Sequence, residues 1–223
     1  MYHVAFKDRR TMNLAIGRVS EYGENPVLAR TVFTWDQLED WWKTARGKKR
    51  QAFVDYWDGF NVPVSAFKPF FDGRFADLNA HERKLVAIAR RLPRNAYVVA
   101  TAKNAGRHIL PHEVVHGLFA HLPAYRAEVS AAVRDAMSRG RLRRIVAALL
   151  RMGYGKQTLV DEINAYLVTR VEPGERMLGS GERALRPVLR GILRRHLGHV
   201  FRGEDGHRRA AELVHHIPFE GQA

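Results

Sequence analysis

The chain of 223 residues is long enough to bury one good hydrophobic core, so its length favours a single domain or one domain with a small appended lobe. It contains no cysteine, which excludes disulfide bonds and thiolate metal ligands. Its 37 lysine and arginine residues outnumber 23 aspartate and glutamate residues, and the resulting net charge of +14 is typical of proteins with acidic or nucleic-acid partners. Because neither a signal peptide nor a long apolar stretch is present, we expect a cytoplasmic protein without a membrane span.

The N-terminal half predicts a short strand and two helices. Residues 30–33 form the candidate strand, and a helix over 35–45 follows, with Thr34 at the start of a capping box. A second helix is predicted over 80–91, where Asn79 is the cap and leucine and isoleucine recur at helical spacing. These elements indicate a mixed N-terminal region.

The second half predicts one strand followed by helices. Residues 96–102 are β-branched and aromatic, and a polar turn separates this buried strand from a helix that begins near Pro111. Later helices are predicted over 124–138, 141–152, 157–169, 181–200 and 206–215. The predicted fold is therefore α+β and mostly helical, with a small sheet preceding the central helix. Within one domain of residues 1–223 we expect three parts: an N-terminal lobe (1–95), a core (96–170) and a basic helical C-terminal part (171–223).

The segment with the most specific chemistry is His112-Glu-Val-Val-His116, an HExxH motif. Residues four apart lie on one face of a helix, so both histidines can direct a ring nitrogen at one metal ion. Glu113 is offset by one residue, which suits it to deprotonate a metal-bound water rather than to ligate the metal. The motif predicts a zinc site. The alternative interpretation is that both histidines make only hydrogen bonds within a helical core.

A catalytic zinc site needs a third protein ligand and keeps its fourth position for water. Glu162 is the favoured candidate, because it borders an apolar helical stripe where an ionised carboxylate needs a partner. Glu128 and His121 are the other candidates, but Glu128 lies in an ordinary amphipathic pattern and His121 lies on the wrong helical face. We therefore predict one Zn²⁺ per chain, held by His112, His116 and Glu162.

These residues resemble the gluzincin arrangement of zinc metallopeptidases, in which a glutamate on a later helix follows HExxH. More closely, the blocks 111–119 and 161–166, with 55–63 upstream, resemble a group of short bacterial proteins of unassigned function that carry HExxH and DExxAY blocks. The resemblance runs from about residue 20 to about residue 170, which is most of the chain.

The resemblance implies a zincin-like fold and a peptide or protein substrate. By matching position it implies a zinc ion bound by His112, His116 and Glu162, with Glu113 as the general base that accepts the water proton and passes it to the leaving amine. The chain departs from thermolysin-like enzymes in its longer linker between the second histidine and the glutamate. It also departs from the metzincins, because Leu122 stands where their third histidine would be.

Further roles are predicted around this site. Tyr166, one helical turn from the predicted glutamate ligand, is a candidate donor to the developing oxyanion, with Tyr154 and His196 as alternatives. The other interpretation of Tyr166 is that it only packs in the core. Asp161 is expected to orient a ligand histidine through its other ring nitrogen. Resemblance to zincins also implies that the strand over 96–102 binds an extended peptide along its edge.

Positive charge suggests other partners. Arg186, Arg190 and Arg194 recur every fourth residue on a predicted amphipathic helix, and such a basic ridge could bind a nucleic acid or an acidic partner. The alternative is that arginine is simply the preferred surface residue. Two further classes of function therefore stand beside the peptidase. One is a basic nucleic-acid-associated protein whose histidines are structural or bind a non-catalytic metal. The other is an inactive zincin-like scaffold, against which the intact Glu113 argues.

Overall fold

The computed structural model describes residues 1–45, 51–169, 178–201 and 203–219. The described residues of Met1–Gly106 and Val214–Ala223 form unit 1, and those of Arg107–Leu213 form unit 2. Unit 1 combines a sheet with helices and unit 2 is helical, which confirms the prediction of a mainly helical α+β protein. The units divide the chain differently from the predicted parts, since the strand after residue 96 belongs with the N-terminal residues. The predicted boundary at 170 lies outside the described residues.

Unit 1 is built on four strands, β1 (Tyr2–Phe6), β2 (Gly59–Pro63), β3 (Tyr97–Ala102) and β4 (His215–Pro218). Their order is β2-β3-β1-β4, with β1 parallel to β3 and β4 and β2 antiparallel to β3. All six residues of β3 are buried, which explains its β-branched and largely apolar sequence. Because β3 is paired on both sides, it has no free edge, and the prediction that it binds an extended peptide is wrong.

The helices of unit 1 share one hydrophobic core with the sheet. In the described residues they are α1 (Arg9–Glu24), α2 (Trp35–Ala45), α3 (Lys68–Phe71) and α4 (Ala80–Ala89), with short 3₁₀ turns at Phe53–Asp55 and Val64–Phe67. The Asp8 carboxylate caps α1 by accepting the Thr11 N–H at 2.7 Å. The largest fully buried side chains of this core are mostly aromatic: Trp42, Phe6, Phe53, Phe67, Phe70 and Phe75.

The predicted helix starts of unit 1 are confirmed, and the predicted first strand is not. The Gln37 N–H donates to Thr34 Oγ1 at 3.2 Å and the Thr34 N–H donates to Gln37 Oε1 at 2.8 Å, which completes the capping box of α2. Asn79 caps α4 in the same reciprocal way. Residues 30–33 do not form a strand, because Arg30 has a positive φ of 62° that interrupts extended backbone.

Unit 2 consists of helices throughout its described part. They are α5 (Ile109–His121), α6 (Pro123–Ser138), α7 (Arg143–Met152), α8 (Leu159–Thr169), α9 (Ser180–Leu197) and α10 (Gly203–Ala211). In α5 every residue from Ile109 to Leu118 is buried. The helix predicted over 206–215 ends at Ala211, because 215–218 pair with β1 as a strand of unit 1. None of the described helices is long and apolar enough to cross a membrane.

Candidate metal centre

Two helices of unit 2 bring four buried ionisable side chains together. His112, Glu113 and His116 come from α5 and Glu162 comes from the first turn of α8, and each is at most 6% exposed. The helix can start just before these residues because Pro111 lies in its first turn, where no N–H is needed. Ionisable groups buried among apolar neighbours require compensating partners, so the set needs a chemical explanation.

The donor atoms of His112, His116 and Glu162 all lie within 4.8 Å of one another, and we call these residues the metal cluster. The two histidine Nε2 atoms are 3.3 Å apart. The Glu162 carboxylate oxygens lie 3.8 Å from each of these nitrogens. Ligands bound about 2.0–2.1 Å from a tetrahedral zinc ion stand about 3.4 Å from one another. The donor types and their spacing therefore fit a zinc ion with three protein ligands.

Asp161 orients one of the two histidines. Its Oδ2 accepts a hydrogen bond from His116 Nδ1 at 2.9 Å, which leaves Nε2 of that ring for the metal cluster. The predicted contact of Asp161 with a ligand histidine is thus present. The corresponding nitrogen of His112, Nδ1, is buried without a hydrogen-bond partner among the described residues. The His116 ring is therefore oriented by a hydrogen bond at the nitrogen outside the metal cluster, whereas the His112 ring is held mainly by packing.

The two imidazoles also differ in pKa. Burial lowers the pKa of His112 well below its ordinary value, and His116 and His108 lower it further. Burial opposes the charged form of His116 as well, but Asp161 and Glu162 outweigh it and raise the pKa of His116 well above its ordinary value. The carboxylates therefore favour a positive charge at this position.

Two tyrosines lie beside the metal cluster. The Tyr166 ring meets the His112 ring edge to face, with 4.7 Å between centroids. The Tyr154 hydroxyl lies 3.4 Å from the Tyr166 hydroxyl. Burial, then the charges of Glu162 and other neighbours including Glu113, raise the pKa of Tyr154 well above its ordinary value. The Tyr154 hydroxyl consequently stays protonated and able to donate a hydrogen bond near the cluster.

The other predicted candidates lie elsewhere in unit 2. Glu128 forms an ion pair with Arg195 and a hydrogen bond with His196, whose Nε2 is 2.9 Å from its Oε1. The metal cluster therefore includes neither Glu128, the alternative ligand, nor His196, the alternative oxyanion donor. His121 is exposed at the last residue of α5. Among the described residues, the metal cluster is the group of three or more side chains whose positions suit a metal ion.

The predicted basic ridge is not a row of exposed arginines. The Arg186 Nε donates to the Leu167 carbonyl at 3.1 Å, and the buried Arg190 donates to the Val168 carbonyl at 3.2 Å. Carbonyls in the last turn of a helix have no intrahelical partner, so these arginines complete the end of α8. Of the three, only Arg194 is exposed. Two of the three arginines therefore help to hold the helix that carries the cluster glutamate.

A buried polar pair on another side of α8 adds to this support. The Tyr125 hydroxyl on α6 donates to Asn164 Oδ1 at 2.9 Å, and both residues are fully buried. The Asn164 Nδ2 is buried without a hydrogen-bond partner in the described part of the chain. The only sequence signal for this pair is an asparagine within an apolar helical stretch, and sequence alone does not identify its partner.

The described residues thus define a mixed α+β protein with a candidate three-ligand metal site. No protein-family model, curated protein or solved structure matches the chain. The resemblance to gluzincins consequently rests on the motifs alone, and the functional argument rests on the geometry of the metal cluster.

Proposed function

We propose that this chain is a zinc-dependent metallohydrolase and that it acts as a peptidase on a peptide or protein substrate. The observation that best supports the proposal is the buried convergence of His112, His116 and Glu162 within 4.8 Å. Structural zinc sites are normally closed by four protein ligands, whereas three ligands leave a position for water or substrate. Two imidazoles favour zinc over calcium and magnesium, which bind mainly through oxygen.

Glu113 is the general base in this proposal. It follows His112 on α5 and is 6% exposed, and its charge contributes to the raised pKa of both His116 and Tyr154. A bound zinc ion supplies Lewis acidity, which lowers the pKa of water and polarises the substrate carbonyl. Glu113 accepts a proton from water as the water oxygen bonds to the carbonyl carbon. It then donates that proton to the leaving nitrogen as the C–N bond breaks.

The two tyrosines supply the hydrogen-bond donor for the developing oxyanion. Tyr166 is our first choice, because its ring packs against the ligand His112 and it lies one turn from Glu162 on α8. Tyr154 is the alternative, since its hydroxyl lies 3.4 Å away. Removal of an oxyanion donor costs about 10²–10³ in kcat, so Tyr166→Phe and Tyr154→Phe should differ by this factor in enzymes with equal zinc content.

Metal content is the first test. Inductively coupled plasma mass spectrometry on protein purified without a metal-affinity tag should find about one zinc per chain, as a three-ligand site requires. Glu162→Ala should lose most of this zinc. Glu128→Ala is the matched control, because Glu128 was a candidate ligand but pairs with Arg195 and His196 instead. Wild-type protein that neither contains zinc nor takes it up would overturn the proposal.

Glu113→Gln separates metal binding from chemistry. The variant should keep its zinc and lose about 10²–10⁴ of the rate at which wild type cleaves a fluorogenic peptide library. Full activity in a zinc-loaded variant would remove Glu113 from the mechanism. A wild type that binds zinc and cleaves nothing in the library would instead favour the inactive scaffold.

A further inference from the structure

A second surface of unit 2 arises where the turn between α6 and α7 meets the start of α9. Gly140 takes a positive φ of 66° in that turn. A Cβ atom at Gly181, in the first turn of α9, would lie 2.0 Å from the carbonyl oxygen of Arg141. Because only glycine permits so close an approach, the two segments form one continuous surface.

Four exposed arginines lie on this surface, and we call them the arginine cluster: Arg141, Arg143, Arg144 and Arg183. The Arg143 guanidinium lies 3.1 Å from the Cβ position of Gly140, so it covers the turn. The Arg144 side chain lies 3.0 Å from the Cβ position of Gly179, just before α9. The cluster therefore brings charges from two separate parts of the chain together.

The members of the arginine cluster lack the acidic partners that several other arginines of unit 2 have. Four others are paired with carboxylates: Arg139 with Asp135, Arg195 with Glu128, and Arg208 and Arg209 with Asp205. No member of the arginine cluster forms an ion pair within residues 1–45, 51–169, 178–201 and 203–219. Four positive charges are thus available to a partner.

The carboxylate nearest in sequence to the cluster is used internally. Glu182 is 1% exposed. Its Oε1 accepts the N–H of Ile145 at 3.2 Å and its Oε2 accepts the N–H of Gly179 at 2.9 Å. It therefore satisfies backbone groups at the beginnings of α7 and α9, where N–H groups lack intrahelical partners. Its charge is buried, and the arginines keep theirs at the surface.

We propose that the arginine cluster binds the phosphodiester backbone of a nucleic acid. The planar guanidinium offers two parallel donors that match a phosphate. Because the guanidinium is weakly hydrated, the free-energy cost of removing its water on binding is small. No aromatic side chain belongs to the cluster, so recognition is through phosphates and is independent of sequence. This surface is separate from the metal cluster, and the proposal goes beyond the hydrolase.

A nucleic acid fits this surface better than an acidic protein or an anionic membrane. The centre of a protein interface and a membrane-inserting helix both present apolar side chains. Here the apolar residues that alternate with the arginines, Leu142 and Ile145, are at most 1% exposed and belong to the core. The apolar residues between the arginines therefore add no exposed apolar surface to the cluster.

The salt dependence of binding tests the proposal. Fluorescence anisotropy should show that zinc-loaded full-length protein binds duplex DNA of about 20 base pairs or RNA of similar length. If four phosphates are neutralised, a plot of the logarithm of the duplex binding constant against the logarithm of the salt concentration should have a slope near −3.6. A fourfold rise in salt would then weaken duplex binding about 150-fold. Arg143→Gln with Arg144→Gln should reduce the slope to about −1.8. Which of the two probes binds more tightly identifies the natural form of the backbone.

Arg208→Gln with Arg209→Gln is the matched control, because it removes the same net charge from paired arginines. Its slope should equal that of wild type. Equal weakening by both double variants would overturn the proposal, since binding would then follow net charge alone. So would binding to phosphatidylserine vesicles without binding to either nucleic acid. Glu162→Ala should leave the slope unchanged, so failure of the metal site remains distinguishable from failure of this one.

Discussion

Each unit buries charged side chains, but the two sets are completed in different ways. In unit 1 the guanidinium of Arg18 is fully buried, and its Nε and Nη2 donate to the Glu82 carboxylate at 2.7 and 2.8 Å. Its Nη1 donates to Asp77 at 2.8 Å and to the Phe33 carbonyl at 3.1 Å. In unit 2 the metal cluster gathers two imidazoles and a glutamate next to further carboxylates.

The source of the positive charge distinguishes the complete ion pair of unit 1 from the candidate metal site of unit 2. Unit 1 supplies its own permanent cation, since arginine does not lose its proton in proteins. In unit 2 the carboxylates raise the pKa of His116, so the positive charge they favour is a proton on an imidazole. A metal ion can replace such a proton, and metal binding releases protons for this reason. The comparison therefore indicates that the first set stabilises the fold, and it supports the proposal that the second set binds a metal ion.

The largest effect should come from Arg18→Met, which leaves Glu82 buried without its cation. We expect the free energy of unfolding to fall by about 3–5 kcal/mol in urea titrations, with zinc affinity unchanged. Lys68→Met is the control, because Lys68 pairs with Asp72 through a side chain that is 75% exposed. Its cost should be about 0–1 kcal/mol. A loss under about 1 kcal/mol for the Arg18 variant would remove the distinction between the two sets.

Removal of zinc should have the next largest effect. With free zinc at about 100 to 1,000 times its Kd, a chelator should lower the free energy of unfolding by about 2.7–4.1 kcal/mol, because a ligand that binds only the folded state stabilises that state by this amount. Urea titrations with and without chelator measure this difference. His112→Ala should abolish it and Arg18→Met should retain it. Identical titrations for wild type would mean that the metal cluster is completed without a metal.

Asp161→Ala tests how much the hydrogen bond between Asp161 and His116 contributes to the orientation of the metal cluster. Loss of the carboxylate that holds His116 should weaken zinc binding about 10–100-fold in competition with a chromophoric chelator. Asp135→Ala provides the control, since Asp135 is an exposed aspartate whose partner is Arg139. Wild-type zinc affinity in the Asp161 variant would show that the 2.9 Å contact contributes nothing to orientation.

The residues of the candidate metal site that lie close together in the chain could be predicted from sequence. The spacing of His112 and His116 and the offset of Glu113 follow from helical geometry. Glu162 is distant in sequence, but a carboxylate at the edge of an apolar stripe indicated a buried partner, and the structure brings it into the metal cluster. The adjacent Asp161 followed from the general need of ligand histidines for a second hydrogen bond.

Pairing between distant parts of the chain was not predictable. β4 is short and largely exposed, so only its pairing with β1, about 213 residues away, makes it a strand. The sequence also gave no clear sign of α1, because its buried face includes Asn13 and Arg18 and thus breaks the apolar periodicity. The same long-range partners explain the arginines of α9. Arg186 and Arg190 recur at the spacing of a surface ridge, yet both donate hydrogen bonds to backbone carbonyls of α8.

The smallest expected effect tests whether one side of α8 contributes only to stability while another side carries the proposed metal ligand. Tyr125→Phe removes the donor to Asn164, and we expect the free energy of unfolding to fall by about 1 kcal/mol. The loss should be the same with and without zinc, because Asn164 and Glu162 are two residues apart on a helix and face different neighbours. Tyr22→Phe, at a half-buried tyrosine of unit 1, should change stability by under about 0.5 kcal/mol. A larger loss in the presence of zinc would instead indicate that the Tyr125–Asn164 pair supports the metal ligands. Removal of such support would weaken zinc binding, and the stability that zinc adds would fall with it.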